Sequence, residues 1–193
     1  MNFRLTYDGP LKAASQSDTR RLEKHAIRRA FHRQLDTLYL AHDSRFLDAE
    51  QAALAGDKIP TVQRGAFTFT ALVREKLNLV CDLDILFLRR DDPGRLIRSG
   101  GDLDNRIKVL FDALRIPQDD NEVRDLAPKG EDESLFLCLT EDDKLITGFR
   151  VTTDRLLEPA TSPADENHVR LIINVEVKAT TLTDENISYL SHF

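Results

Sequence analysis

Tryptophan is absent from this 193-residue chain, methionine occurs once and cysteine only twice. Cys81 and Cys138 stand far apart in apolar stretches, with no Cys-x-x-Cys pair and no nearby histidine. A disulfide framework and a thiolate metal knuckle are both excluded, and two buried thiols are expected. Long hydrophobic runs are missing too: none approaches the roughly 18 residues of a membrane span. No apolar signal stretch follows Met1-Asn2-Phe3-Arg4, so the expectation is a soluble, cytoplasmic protein without a membrane partner. The histidines His25, His32, His42, His168 and His192 show neither His-x-x-x-His nor His-Glu-x-x-His spacing, and no Gly-x-x-x-x-Gly-Lys-Ser/Thr loop occurs. Neither a zinc enzyme nor a nucleotide cofactor is expected.

What remains is 41% hydrophobic and 31% charged, enough apolar material to close a core. We expect one α/β domain over residues 1–193. The net charge of −6 hides an asymmetry: residues 1–110 carry 19 Lys+Arg against 15 Asp+Glu, whereas residues 111–193 carry 8 against 18. One basic run comprises Arg20, Arg21, Lys24, Arg28, Arg29 and Arg33, and another Arg89, Arg90, Arg95 and Arg98. Both are candidates to meet phosphate, against the plainer reading of a solvated helix face.

Asn2 to Tyr7 reads as a strand ending at the turn Asp8-Gly9-Pro10. Ser15 to Tyr39 has helical spacing in Leu22, Ala26, Ala30 and Leu35 with Ile27, Phe31, Leu38 and Tyr39. Arg45 to Ala55 could form a short helix before a loop marked by Gly56, Pro60 and Gly65. Phe67 to Val73 and Asn78 to Arg89 read as strands. In the second, Leu79, Cys81, Leu83, Ile85 and Phe87 share one face, and Asp82 and Asp84 occupy the other. That Asp-x-Asp is better explained as a polar strand face than as an aspartyl phosphotransferase. After the turn at Asp91-Asp92-Pro93-Gly94, a second helix spans Asp102 to Leu114. Leu135 to Thr140, Lys144 to Thr152 and His168 to Ala179 complete the strands, with a loop over Glu158 to Asn167.

The chemistry concentrates in the second helix. Leu103, Ile107, Leu110, Phe111 and Leu114 form an apolar stripe, and Asp104, Lys108 and Asp112 line up at i, i+4 and i+8 on the opposite side. Asp102 sits at the helix mouth, where the dipole favours a carboxylate. From Leu114 back to Asp104 the helix rises about 15 Å, and six extended residues to Asp120 span about 20 Å, so Gln118 to Val123 can just return along the helix. Asp102, Asp104 and either Asp119 or Asp120 would then converge beside Lys108, a donor set suited to Mg²⁺, with Mn²⁺ as a substitute. Capping plus a surface ion-pair ladder is the plainer account of the same residues.

The run Asp102-Leu103-Asp104-Asn105-Arg106-Ile107-Lys108, continued to Asp112-Ala113-Leu114 and then Asp119-Asp120-Asn121-Glu122-Val123, resembles the signature of the RusA-type Holliday junction resolvases. The resemblance covers about 22 residues closely. It implies a mixed, largely antiparallel sheet with two main helices, with insertions at about 41–65 and 125–165. It implies metal binding by Asp102, Asp104 and Asp120, a catalytic Lys108, and action as a homodimer on four-way junctions or related branched DNA. Asn105, Arg95, Arg98, Arg28 and Arg29 are the DNA-facing candidates. The competing class is a branched-DNA-binding or interaction protein of the same fold with little turnover. The carboxylate set favours the nuclease, because a binder gains nothing from three negative charges beside a phosphate.

Overall fold

A computed structural model of the chain describes residues 1–13, 18–41, 61–90, 102–128, 130, 133–158, 167–184 and 186–187. Its elements in chain order are β1 (Asn2–Pro10), α1 (Asp18–Ala41), β2 (Val62–Arg64), β3 (Phe67–Val73), β4 (Leu79–Arg89), α2 (Asp102–Leu114), β5 (Phe136–Thr140), β6 (Ile146–Arg155) and β7 (His168–Ala179). Short 3-10 turns precede β4, follow α2 at Asp120–Val123 and precede β6. The class is mixed α+β, with two main helices as expected. The strands form two sheets, one ordered β1-β7-β4-β6 and one β2-β3-β5. Pairing is antiparallel in β1·β7, β4·β7 and β2·β3 and parallel in β3·β5 and β4·β6.

Period-two alternation explains the central strands. Leu79, Cys81, Leu83, Ile85 and Phe87 of β4 are buried, as are Val169, Leu171, Ile173, Val175 and Val177 of β7. These two faces meet Ile27, Phe31 and Leu35 of α1 and Ile107, Leu110 and Leu114 of α2 in one core. A smaller core joins Phe67, Phe69 and Ala71 of β3 to Ile116, Val123, Phe136 and Cys138. Both cysteines are free and buried, and burial pushes each thiol up to about 12.

Several expectations change. β1 runs through Asp8-Gly9-Pro10 instead of turning there, because Gly9 and Pro10 still pair with Val169 and His168. Pro10 is tolerated since β1 is an edge strand and its ring occupies the last position. The α1 face is rotated: Leu22 is exposed, whereas His25, Arg28 and His32 are buried with Ile27 and Phe31. Within 125–165, β5 and β6 belong to the two sheets. Most of the span at 41–65, with the expected helix at 45–55, lies outside the described residues. No described helix is long and apolar enough to cross a membrane.

Candidate functional site

Helix α2 is sequestered on a wide arc, with Arg106, Ile107, Val109, Leu110, Ala113 and Leu114 all buried. Its N-terminal half is anchored by Arg106, whose guanidinium donates to the Leu11 carbonyl and, at 3.1 Å, to Asn167 Oδ1. No sequence signal marks that arginine as buried, since it falls between the DNA-facing candidate Asn105 and the apolar Ile107. The opposite face carries Asp104 and Lys108, both exposed, one turn apart, and without a hydrogen-bonding or ionic partner among the described residues. Asn105 is half-buried beside them. Asp102 opens the helix, and its side chain lies outside the described residues.

The C-terminal half is different. Asp112 accepts from Arg115 at 2.9 Å and from Lys24 of α1 at 3.2 Å. Glu122 accepts from Arg115 at 3.0 Å and from the Gln118 N–H at 3.1 Å, and lies 3.6 Å from Arg28. Arg28 is 1% exposed and donates to the Asp112 carbonyl at 2.8 Å. Burial pulls its guanidinium below the usual arginine range, yet the facing carboxylates keep a cation there. Asp112 therefore pairs with Arg115 and Lys24, and Asp104-Lys108-Asp112 is not a ladder.

The return of the chain also departs from expectation. After Leu114, Ile116 N–H bonds to the Thr140 carbonyl, carrying the segment alongside β5 instead of back along α2. Asp119 caps the following 3-10 turn, its Oδ1 accepting from the Asn121 and Glu122 N–H groups. The Asp120 carboxylate accepts from the Gly65 N–H at 3.1 Å, in the β2–β3 turn where Gly65 takes a φ of 53°. Glu122 fixes this turn at the Asp112 end of α2, two helical turns or about 12 Å of rise from Asp104. No group of three His, Cys, Asp or Glu that could hold a metal forms among the described residues. Asp120 is thus anchored at the β2–β3 turn, and the Asp102 side chain that the expected triad needs lies outside the described residues.

Four cations of the α1 basic run, Arg21, Lys24, Arg28 and Arg29, are engaged internally. Arg29 donates to Glu133 at 2.6 and 3.0 Å and to the Ala127 carbonyl at 2.8 Å, and Arg21 lies 3.5 Å from Asp125. Arg28 and Arg29, expected to face DNA, make their described contacts with the acidic segment at 112–133. Here the two halves of opposite charge meet: α1 is neutralised by the part of the chain that the sequence singled out as acidic. Arg33 is the exposed member of the run. Arg95 and Arg98 lie outside the described residues. Comparison of the chain with family models, with curated proteins and with solved structures gives no match.

Proposed function

We propose that the protein is a Mg²⁺-dependent, structure-selective endonuclease acting on four-way junctions or related branched DNA, as the resemblance of its α2 motif implies. The observation that carries the reading is the pair Asp104 and Lys108: exposed, adjacent on one helix face and unpartnered among the described residues, while nearby Asp112 and Glu122 are tied into ion pairs. A carboxylate and an ammonium left free at one turn's spacing suit binding to something outside the chain.

The donor set fits a hard cation in reduced form. Mg²⁺ commonly takes one or two carboxylates and fills its remaining positions with waters and substrate phosphate oxygens, so Asp102 and Asp104 would hold it. When bound, such an ion supplies an activated water and charge neutralisation at a scissile phosphate. Lys108, one turn on, offsets negative charge on the phosphoryl oxygens, and Asn105 can donate a hydrogen bond to the DNA backbone. Asp120 enters only through the resemblance, because its carboxylate holds the Gly65 turn. Its own test is Asp120→Asn: lost cutting with an unchanged melting curve supports a ligand role, and retained cutting assigns it to the turn.

The reading is tested with labelled four-way junction and linear duplex, each incubated with the protein in Mg²⁺ and in chelator. Mg²⁺-dependent cleavage of the junction, lost in Lys108→Ala, is expected. Junction binding with no cleavage under any divalent cation would favour the branched-DNA-binding protein instead.

A further inference from the structure

Among the phenylalanine and tyrosine side chains that the structure describes, only that of Phe149 is exposed, at 58%. It stands on β6 with its ring edge-on to Phe111 of α2, the centroids 5.2 Å apart and the planes at 84°. Phe111 is half-buried and follows Lys108 by three positions and Asp104 by seven, so the three residues share one face of α2. The exposed ring is thereby fixed alongside the carboxylate and the ammonium that have no described partner.

The backbone of β6 is built to present that ring on the α2 side. Cys81 pairs with Ile146 and Asp82 with Gly148, so Thr147 is an extra residue and the strand carries a bulge there. Strict alternation from Ile146 would turn Phe149 to the polar face with Asp84. The bulge shifts the phase, and Phe149 pairs with Leu83 on the buried face of β4 instead. Thr147 Oγ1 donates to Asp82 Oδ1 at 2.9 Å, and a Cβ on Gly148 would lie 2.9 Å from the same oxygen. A hydroxyl holds the bulge and a glycine permits it. Bulges of this kind re-aim a side chain beside functional sites, and the side chain re-aimed here keeps 58% of its surface in water instead of closing over Phe111.

We propose that Phe149 is a stacking platform for an unpaired base of the nucleic acid held at the face of α2 that bears Asp104 and Lys108. The identity of the ligand rests on the proposed function, and the platform extends that reading to the substrate. Bases inside a duplex are already stacked, so the ring selects branched DNA with a single-stranded or splayed nucleotide next to the contacted phosphate. Charge complementarity favours a nucleotide over an apolar protein surface: Lys108 supplies a cation for a phosphate on the same helix face that carries Phe111. An aromatic ring beside a cation is the arrangement that holds single strands without reading their sequence. The edge-on contact with Phe111 orients the ring before binding, so little side-chain freedom is lost when a base stacks on it.

The chain contains no tryptophan, so Phe149→Trp places a single indole at the platform. The probe is a forked DNA with a single-stranded thymidine arm, titrated in chelator so that no strand is cut, beside a linear duplex. The fork should quench the indole emission saturably and the duplex should not. Leu182→Trp, exposed beyond the end of β7, should respond to neither. Affinity is read separately. Phe149→Leu keeps the apolar bulk and loses the π face, and it should bind the fork roughly 5- to 150-fold more weakly than wild type. Phe149→Tyr should bind the fork as wild type does, and neither variant should change binding to the duplex. Melting curves establish that the variants are folded. Undiminished fork binding by Phe149→Leu, or Phe149→Trp emission indifferent to a fork that the protein binds, would overturn the platform. Either result would leave the nuclease reading standing and mark the ring as an apolar contact for Phe111 or for a partner protein. A wild type that binds neither fork nor junction would overturn both.

Discussion

The two ends of α2 carry the same kinds of residue in opposite circumstances. At the C-terminal end, Asp112, Arg115, Glu122, Lys24 and Arg28 satisfy one another in a mostly enclosed cluster. At the N-terminal end, Asp104 and Lys108 face outwards with no described partner. Asp104 and Lys108 stand four residues apart, and Asp112 and Arg115 three. What separates them is the neighbour, since α1 and the 3-10 turn at Asp120–Val123 pack over the C-terminal end. Charges that neutralise one another under a packed helix serve the fold, and charges left outside can serve a ligand.

The strongest way to break this comparison is to remove a buried cation. Arg115→Ala leaves Asp112 and Glu122 facing each other with only Lys24 and the largely enclosed Arg28 nearby, and breaking a buried pair in this manner costs about 3 kcal/mol or more. Lys108→Ala should leave stability unchanged. Urea unfolding of both variants checks the contrast, and equal midpoints would mean that the two ends do not differ. A smaller effect is expected from Gln34→Ala, which strips two hydrogen bonds from the Thr6 edge at about 1 kcal/mol each. Unfolding midpoints read this loss as well, and no loss would show that Gln34 is not holding that edge.

The smallest effect should come from an exposed pair belonging to neither end. Asp82 is held below the usual carboxylate range, first by a hydrogen bond from Lys178, then by one from Thr147. A group whose folded value is depressed stabilises above its unfolded value and loses that contribution as pH falls through the folded one. The melting difference between wild type and Asp82→Asn should therefore be present at neutral pH and close as the pH drops below 3.8. A difference that persists in acid would assign it to something other than charge.

The strands of the four-stranded sheet were readable because Leu79 to Phe87 and Val169 to Val177 alternate cleanly, and one buried face leaves a strand little choice of register. The helices were readable in extent but not in orientation. Arg28, His25 and His32 look like solvent residues in the sequence, and only the acidic segment and the aromatic rings of β3 and β5 make their burial affordable: His32 stacks on Phe136 at 4.3 Å. For the candidate site, Asp104 and Lys108 could be found from helical periodicity alone. Asp120 could not be placed that way, because reach along the chain permits a return to Asp104 without requiring it. The hydrogen bond of Ile116 to Thr140 instead diverts the chain along β5.

The central claim is that the outward end of α2 performs chemistry and the enclosed end holds the fold. The most direct measurement is Mg²⁺-dependent cleavage of a labelled four-way junction by Asp104→Asn beside Asp112→Asn, with melting temperatures taken on the same preparations. Asp104→Asn should melt like wild type and lose cleavage by more than about 100-fold, beyond the usual effect of disturbing a group outside the ligand set. Asp112→Asn should melt lower and still cut. Near wild-type turnover by folded Asp104→Asn would contradict the account.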